Sequence, residues 1–229
     1  MNIVVCLRSA ASAPERQRCN DPALALALSL APAGHHTVAL LPDSAGQIDP
    51  LRRALAAGAT RAVRLIDDQM STTDFHGLGQ LLASAVRALD GDITLLGFPF
   101  DDEGVGAMSA AVAKNLGAVH VARVEAMRAG ATAGAVEITV RGGGRKRRLG
   151  VRGPAVLSVV APPDADVVLP AAPAPPADLD AAIETLSLSD PEVTVVRRRS
   201  EHLGRPEIAS RHPSPVNSAA ELVARLRGR

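Results

Sequence analysis

A turn rich in acid and glycine, set between an apolar run and an alanine-rich run, offers the first chemistry in this chain. Ile93–Leu96 ends in Gly97, Asp101, Asp102 and Glu103 follow, and Gly104 and Gly106 precede a run of helix formers reaching Gly117. Strand, glycine turn and helix, in that order, present free backbone N–H groups at a helix start. Such groups hold a phosphate without a basic side chain. The same order also serves as a plain strand-to-helix connection, because two glycines one residue apart are weak evidence alone. Glycine at 104 and 106 permits close approach and positive φ. Three carboxylates beside a phosphate repel it unless they point away or cap the helix.

Other chemistries find less support. Adjacent residues on a strand face opposite ways, so His35 and His36 before a strand are a poor ligand pair. His76, His120, His202 and His212 are scattered, and no spacing suits a metal. Cys6 and Cys19 lack C-x-x-C spacing, and Cys6 within an apolar run reads as a small core residue. No nucleophile elbow or P-loop is present. The basic runs Arg145–Arg148 and Arg197–Arg199 read as solvated faces. The first, on a hairpin, could instead meet an acidic partner surface.

The composition bounds these readings. The chain has 229 residues, 47% of them hydrophobic and 1% aromatic, with no Trp or Tyr. Its core must therefore be Ala, Val and Leu. A net charge of +1 argues against nucleic-acid binding driven by net charge. No apolar run approaches the ~20 residues of a membrane span. No basic leader precedes a long apolar core, and the expectation is a reduced, soluble, cytoplasmic protein.

The positioning elements follow from periodicity. Asn2–Leu7, Thr37–Leu41, Ala62–Ile66 and Ile93–Leu96 read as buried parallel strands. Ala23–Leu30, Pro50–Ala57 and Thr73–Leu89 read as the helices between them, with Gly58 as a C-terminal cap. Alternating βα units predict a parallel sheet with right-handed crossovers. Val119–Ala126, Val136–Arg141, Lys146–Val151 and Ala155–Val160 read as strands without intervening helices, so a small antiparallel part is expected. Residues 1–161 form the expected α/β domain. The Pro-rich stretch 162–177 leaves it as a linker, and 178–229 form a C-terminal arm. In the arm, Leu179–Leu186 reads as a short helix and Val193–Arg197 as a strand. Ser218-Ala219-Ala220-Glu221 has capping-box spacing and opens a last helix.

Taken in order, these segments resemble the beta subunit of electron transfer flavoprotein. NIVVCLR resembles the family's first strand, and Asn20-Asp21-Pro22 its Asn-Pro motif before a helix. Ala54–Val63, ALAAGATRAV, is close to the family's A-L-A-M-G-A-D-R-A-V and is the most specific local match. Leu95–Met108 resembles the nucleotide turn. Val124–Gly144 with Pro154-Ala155-Val156 resembles the family hairpin and the strand after it, and the tail resembles the family's final arm. The departures are substantial. Gly97-Phe98-Pro99-Phe100-Asp101-Asp102 lacks the family's Lys-Gln pair, and Ala161–Ala177 stands where the family has its partner-recognition segment.

The resemblance implies an adenine-nucleotide α-hydrolase-like, Rossmann-like fold. It implies an electron carrier rather than an enzyme: an alpha subunit holding most of the FAD, a dedicated flavin dehydrogenase as donor, and a quinone-linked acceptor. A bifurcating branch of the family places a second FAD where others place AMP. Carried over by position, phosphate contacts fall on Glu103, Gly104, Val105, Gly106, Ala107, Met108 and Ser109, with Gly97 leading into the turn. Base and ribose fall near Cys6, Asn20, Asp21, Pro22 and Leu41. Val167-Val168-Leu169 is the apolar cluster available to dock a dehydrogenase, with Leu169 as its anchor. The other reading is a stand-alone adenine-nucleotide regulator resembling universal stress proteins.

Overall fold

The computed structural model describes residues 1–8, 13–43, 46–67, 75–98, 107–142, 144–161, 167–172 and 175–188. All of these belong to one compact unit. Leu-, Val- and Ile-rich runs form parallel strands buried on both faces, as such runs do under helices. They are β1 (Asn2–Cys6), β2 (His36–Pro42), β3 (Arg61–Ile66) and β4 (Ile93–Gly97). Helices α1 (Ala13–Leu28), α2 (Asp49–Ala57), α3 (Phe75–Ala88) and α4 (Met108–Leu116) connect and follow them. Then come β5 (Val119–Ala129), β6 (Ala135–Gly142), β7 (Arg145–Arg152), β8 (Ala155–Val159) and β9 (Ile183–Ser187).

One nine-stranded sheet results, in the order β7-β6-β5-β8-β4-β1-β2-β3-β9. Pairing is parallel from β5 across to β9 and antiparallel along β5-β6-β7. The fold is thus the expected Rossmann-like α/β sheet with a small antiparallel part. Alternation along each strand divides the core. Ile3, Val5, Leu41 and Leu95 pack with Leu24, Leu51 and Leu55 of α1 and α2. Val4, Cys6, Leu40 and Leu96 pack with Leu81, Leu82 and Val112 of α3 and α4. Gly58, at φ 107°, ends α2 in the left-handed region as a glycine cap should.

Three expectations change. Leu179–Leu186 is not a helix. Asp178 Oδ1 accepts the N–H groups of Asp180 and Ala181 at 3.0 and 3.1 Å, which makes a tight turn. The chain then runs as β9 along the open edge of β3, Ala62 opposite Ile183 through Ile66 opposite Ser187. An unpaired edge offers more hydrogen bonds than a lone helical turn, and Ile183 and Thr185 suit a strand. The first helix is also longer than expected: α1 starts at Ala13, so Asn20-Asp21-Pro22 lies inside it rather than before it.

The third change concerns Val167-Val168-Leu169. Leu169 packs on this chain's own core, while Val168 is 83% exposed. The segment returns to α2, where Ala172 N–H donates to Ala56 O at 2.8 Å. The strand expected at Val193–Arg197 and the helix opened by Ser218 lie outside the described residues.

Candidate functional site

Strand order places the site. From β1 the chain moves to β2 and β3 on one side, then to β4 on the other. Order reverses between β1 and β4, and open parallel sheets bind ligands beyond the carboxyl ends of the strands at such a point. Here those ends are Cys6 and Gly97, in register with Leu96 opposite Cys6. Helix α4 starts just after this edge. Its N-cap is Ala107, at φ −80° and ψ −15°, with no side-chain capping bond. First-turn N–H groups of a helix lack intrahelical partners, so this start suits an anion.

The structure distributes the residues named from sequence over several roles. Met108 and Ser109 form the first turn of α4, beside Ala107. Ser109 is buried, and its Oγ lies 3.0 Å from His120 Nε2 on β5. Partial burial of the His120 ring lowers its pKa below the usual histidine value. Glu103, Gly104, Val105 and Gly106 lie outside the described residues. Gly97 has a packing reason for its identity: a Cβ there would stand 1.6 Å from the carbonyl oxygen of Cys19. Helix α1 therefore crosses the end of β4 with backbone against backbone.

Asn20, at the centre of α1, clamps the chain leaving β1. Its Oδ1 accepts Arg8 N–H at 3.0 Å, and its Nδ2 donates to Arg8 O at 2.8 Å. Asp21, 4% exposed, pairs with Arg53 of α2 at 3.0 Å. Pro22 is buried within the same helix. Cys6 and Leu41 are both fully buried but on opposite faces of the sheet, so their side chains do not converge. Burial without a partner charge pushes the Cys6 thiol up to about 12.

Sequence reading missed two features at the same edge. Asp43, just past β2, has its side chain 1% exposed and meets Arg64 of β3 at 2.6 Å. Its other oxygen accepts Gln47 N–H at 3.1 Å. A lone acid directly after a buried strand was the available signal. The ion pair compensates this carboxylate, which lowers the negative charge at this edge of the sheet. A cavity of about 380 Å³ also opens between α3 and α4, lined by Phe75, His76, Gln80, Lys114 and Asn115 among others. No helix among the described residues is long and apolar enough to cross a membrane. Nor do those residues include a group of three or more His, Cys, Asp or Glu placed to hold a metal.

A family model described as Electron transfer flavoprotein domain matches residues 20–199. No curated protein matches the chain.

Proposed function

The chain belongs to the electron transfer flavoprotein domain family, and from that premise we propose that it is the beta-type subunit of a heterodimeric electron carrier. The observation that carries this reading is the family match over residues 20–199, which takes in every strand of the sheet except β1 and includes the hairpin. In this reading an alpha-type subunit holds most of the FAD. Electrons enter from a flavin dehydrogenase and leave to a quinone-linked acceptor. The flavin, when bound, supplies the redox chemistry, and the chain supplies binding and orientation.

The same reading assigns an adenine nucleotide to the edge between β1 and β4, with its phosphate at the turn Glu103–Ser109. Two features support the fit: the uncapped start of α4 and the neutralised Asp43. The contacts are expected to be mainly backbone. Gly104→Val or Gly106→Val should then weaken nucleotide retention far more than Asp101→Asn.

Purification of the tagged full chain with its co-expressed partner tests the whole reading. The expected product is a yellow heterodimer that releases FAD and an adenine nucleotide on denaturation. A colourless, well-behaved monomer with no flavoprotein partner would overturn the subunit assignment. A yellow heterodimer with no released AMP or ADP, and no second flavin, would overturn the nucleotide site alone.

A further inference from the structure

The antiparallel end of the sheet separates charge. Residues 119–152 carry eight of the chain's 25 Lys and Arg but two of its 24 Asp and Glu. This segment is therefore +6 and the remainder −5, within a net charge of +1. Seven of the eight cations are Arg. We propose that the β5–β6–β7 face and its edge strand β7 dock an acidic protein surface in a transient, salt-sensitive encounter. The carrier reading above supplies only the identity of that partner, one that gives electrons to the flavin or takes them from it.

Register shows how the patch is built. Val136 and Ile138 of β6 are buried, opposite Val151 and Leu149 of β7. The alternate positions face away from this core, so Arg148 stands opposite Thr139 and Lys146 opposite Arg141. Two carboxylates lie among these cations, and each is shared. Glu137 meets Arg128 at 2.6 Å and Arg148 at 3.9 Å. Glu125 meets Arg141, and Lys146 at 3.7 Å. Each cluster keeps a surplus positive charge. Both carboxyls sit below the usual carboxylate range, held there chiefly by the Arg hydrogen bond. Arg152, opposite Ala135 on this same face, is exposed and meets no carboxylate among the described residues, whereas Arg145 and Arg147, opposite Gly142 and Val140, stand exposed on the other side of the edge strand.

Protection of an edge strand explains some charge on β7, but it needs no single sign. Arginine in this density suits carboxylates, which it binds with a planar fork. A nucleic acid fits less well. The three Phe residues lie outside the segment, so no aromatic platform stacks a base. Exposed charge chiefly steers encounter rather than holding a permanent dimer, which favours a transient partner.

The test is fluorescence anisotropy of the full chain with labelled poly-L-glutamate, against labelled oligothymidylate of matched length. Titrations are run at low salt and at about 0.15 M ionic strength, where the Debye length is about 8 Å. Polyglutamate is expected to bind tighter, with affinity falling steeply as salt rises. Lys146→Glu/Arg148→Glu/Arg152→Glu, all on the face turned away from the core, should weaken it by about tenfold or more. The same change at Arg197, Arg198 and Arg199 should weaken it far less. Wild-type affinity in the hairpin variant overturns the patch, and an equal loss in the tail variant overturns its location. Tighter binding of oligothymidylate overturns the assignment to protein. If circular dichroism shows the Glu variant misfolded, the triple variant with Gln at the same three positions decides by the same criteria. A colourless preparation bears on the carrier reading and leaves this titration intact.

Discussion

At Gly97 a single hydrogen in place of a methyl group lets α1 cross β4. The built Cβ lies 1.6 Å from Cys19 O and 2.8 Å from Cys19 Cα, both backbone atoms that no rotamer change can clear. Gly97→Ala should therefore cost at least about 3 kcal/mol, read as a drop in the urea midpoint. A variant as stable as the parent would show that α1 does not pack there. Cys6 makes a different claim, on pH. Its folded pKa is raised from 9.0 to about 12, so burial favours the neutral thiol. That contribution is fully present below pH 9 and is lost as pH rises from about 9 toward 12. The stability gap between the parent and Cys6→Ala should shrink across that window, and a constant gap in urea melts would refute the burial. Both residues were chosen from sequence as ligand neighbours. For Cys6 the apolar run already pointed to a small core residue, whereas the contact of Gly97 with Cys19 is a reason that neither composition nor spacing could show.

Secondary elements with a long local signal were the legible ones. The four parallel strands, α2, α3 and the three strands of the hairpin region stand within three residues of their expected bounds, because period and caps are local properties. Elements set by distant partners were not legible. Residues 183–187 become strand because β3 leaves an edge open 121 residues earlier in the chain. No pattern inside ADLDAAIETL announces that edge. Deletion at this point is therefore ambiguous unless it is placed with care. A chain ending at Ala177 loses β9, the Arg61–Glu184 and Arg52–Asp180 pairs, and the buried Leu188. Those exposed ion pairs contribute little, but burying Leu188 is worth about 2 kcal/mol, and β3 becomes a bare edge. The 1–177 chain should melt several degrees lower and aggregate, whereas 1–188 should melt as the full chain does. Scanning calorimetry with size-exclusion chromatography separates the two. Equal behaviour of both truncations would make β9 dispensable.

The whole molecule joins a rigid sheet to functional loops, and the candidate site sits where the two meet. The βα order that leads to it was legible from sequence, whereas most of the glycine turn after β4 lies outside the described residues. The chemistry of the site was only partly legible: the Asp43–Arg64 pair and the Asn20 clamp join residues 21 and 12 positions apart, and pairing across elements leaves no local trace. The arm raises the last question, that of assembly. Once β9 is counted with the sheet, the remaining arm is 189–229, which lies outside the described residues. It holds the tail Arg run and the capping-box sequence at Ser218, whose Leu222, Val223 and Leu226 would share one helical face. An apolar helical face seeks a covering surface. Removing 189–229 should accordingly leave the melting of the chain unchanged and abolish heterodimer assembly with the flavin-carrying subunit. Co-purification followed by light scattering reads this out. Because 1–188 keeps β9, loss of the heterodimer cannot be ascribed to a broken sheet. A 1–188 chain that still yields the yellow heterodimer would move the subunit contact from the arm to the sheet domain itself.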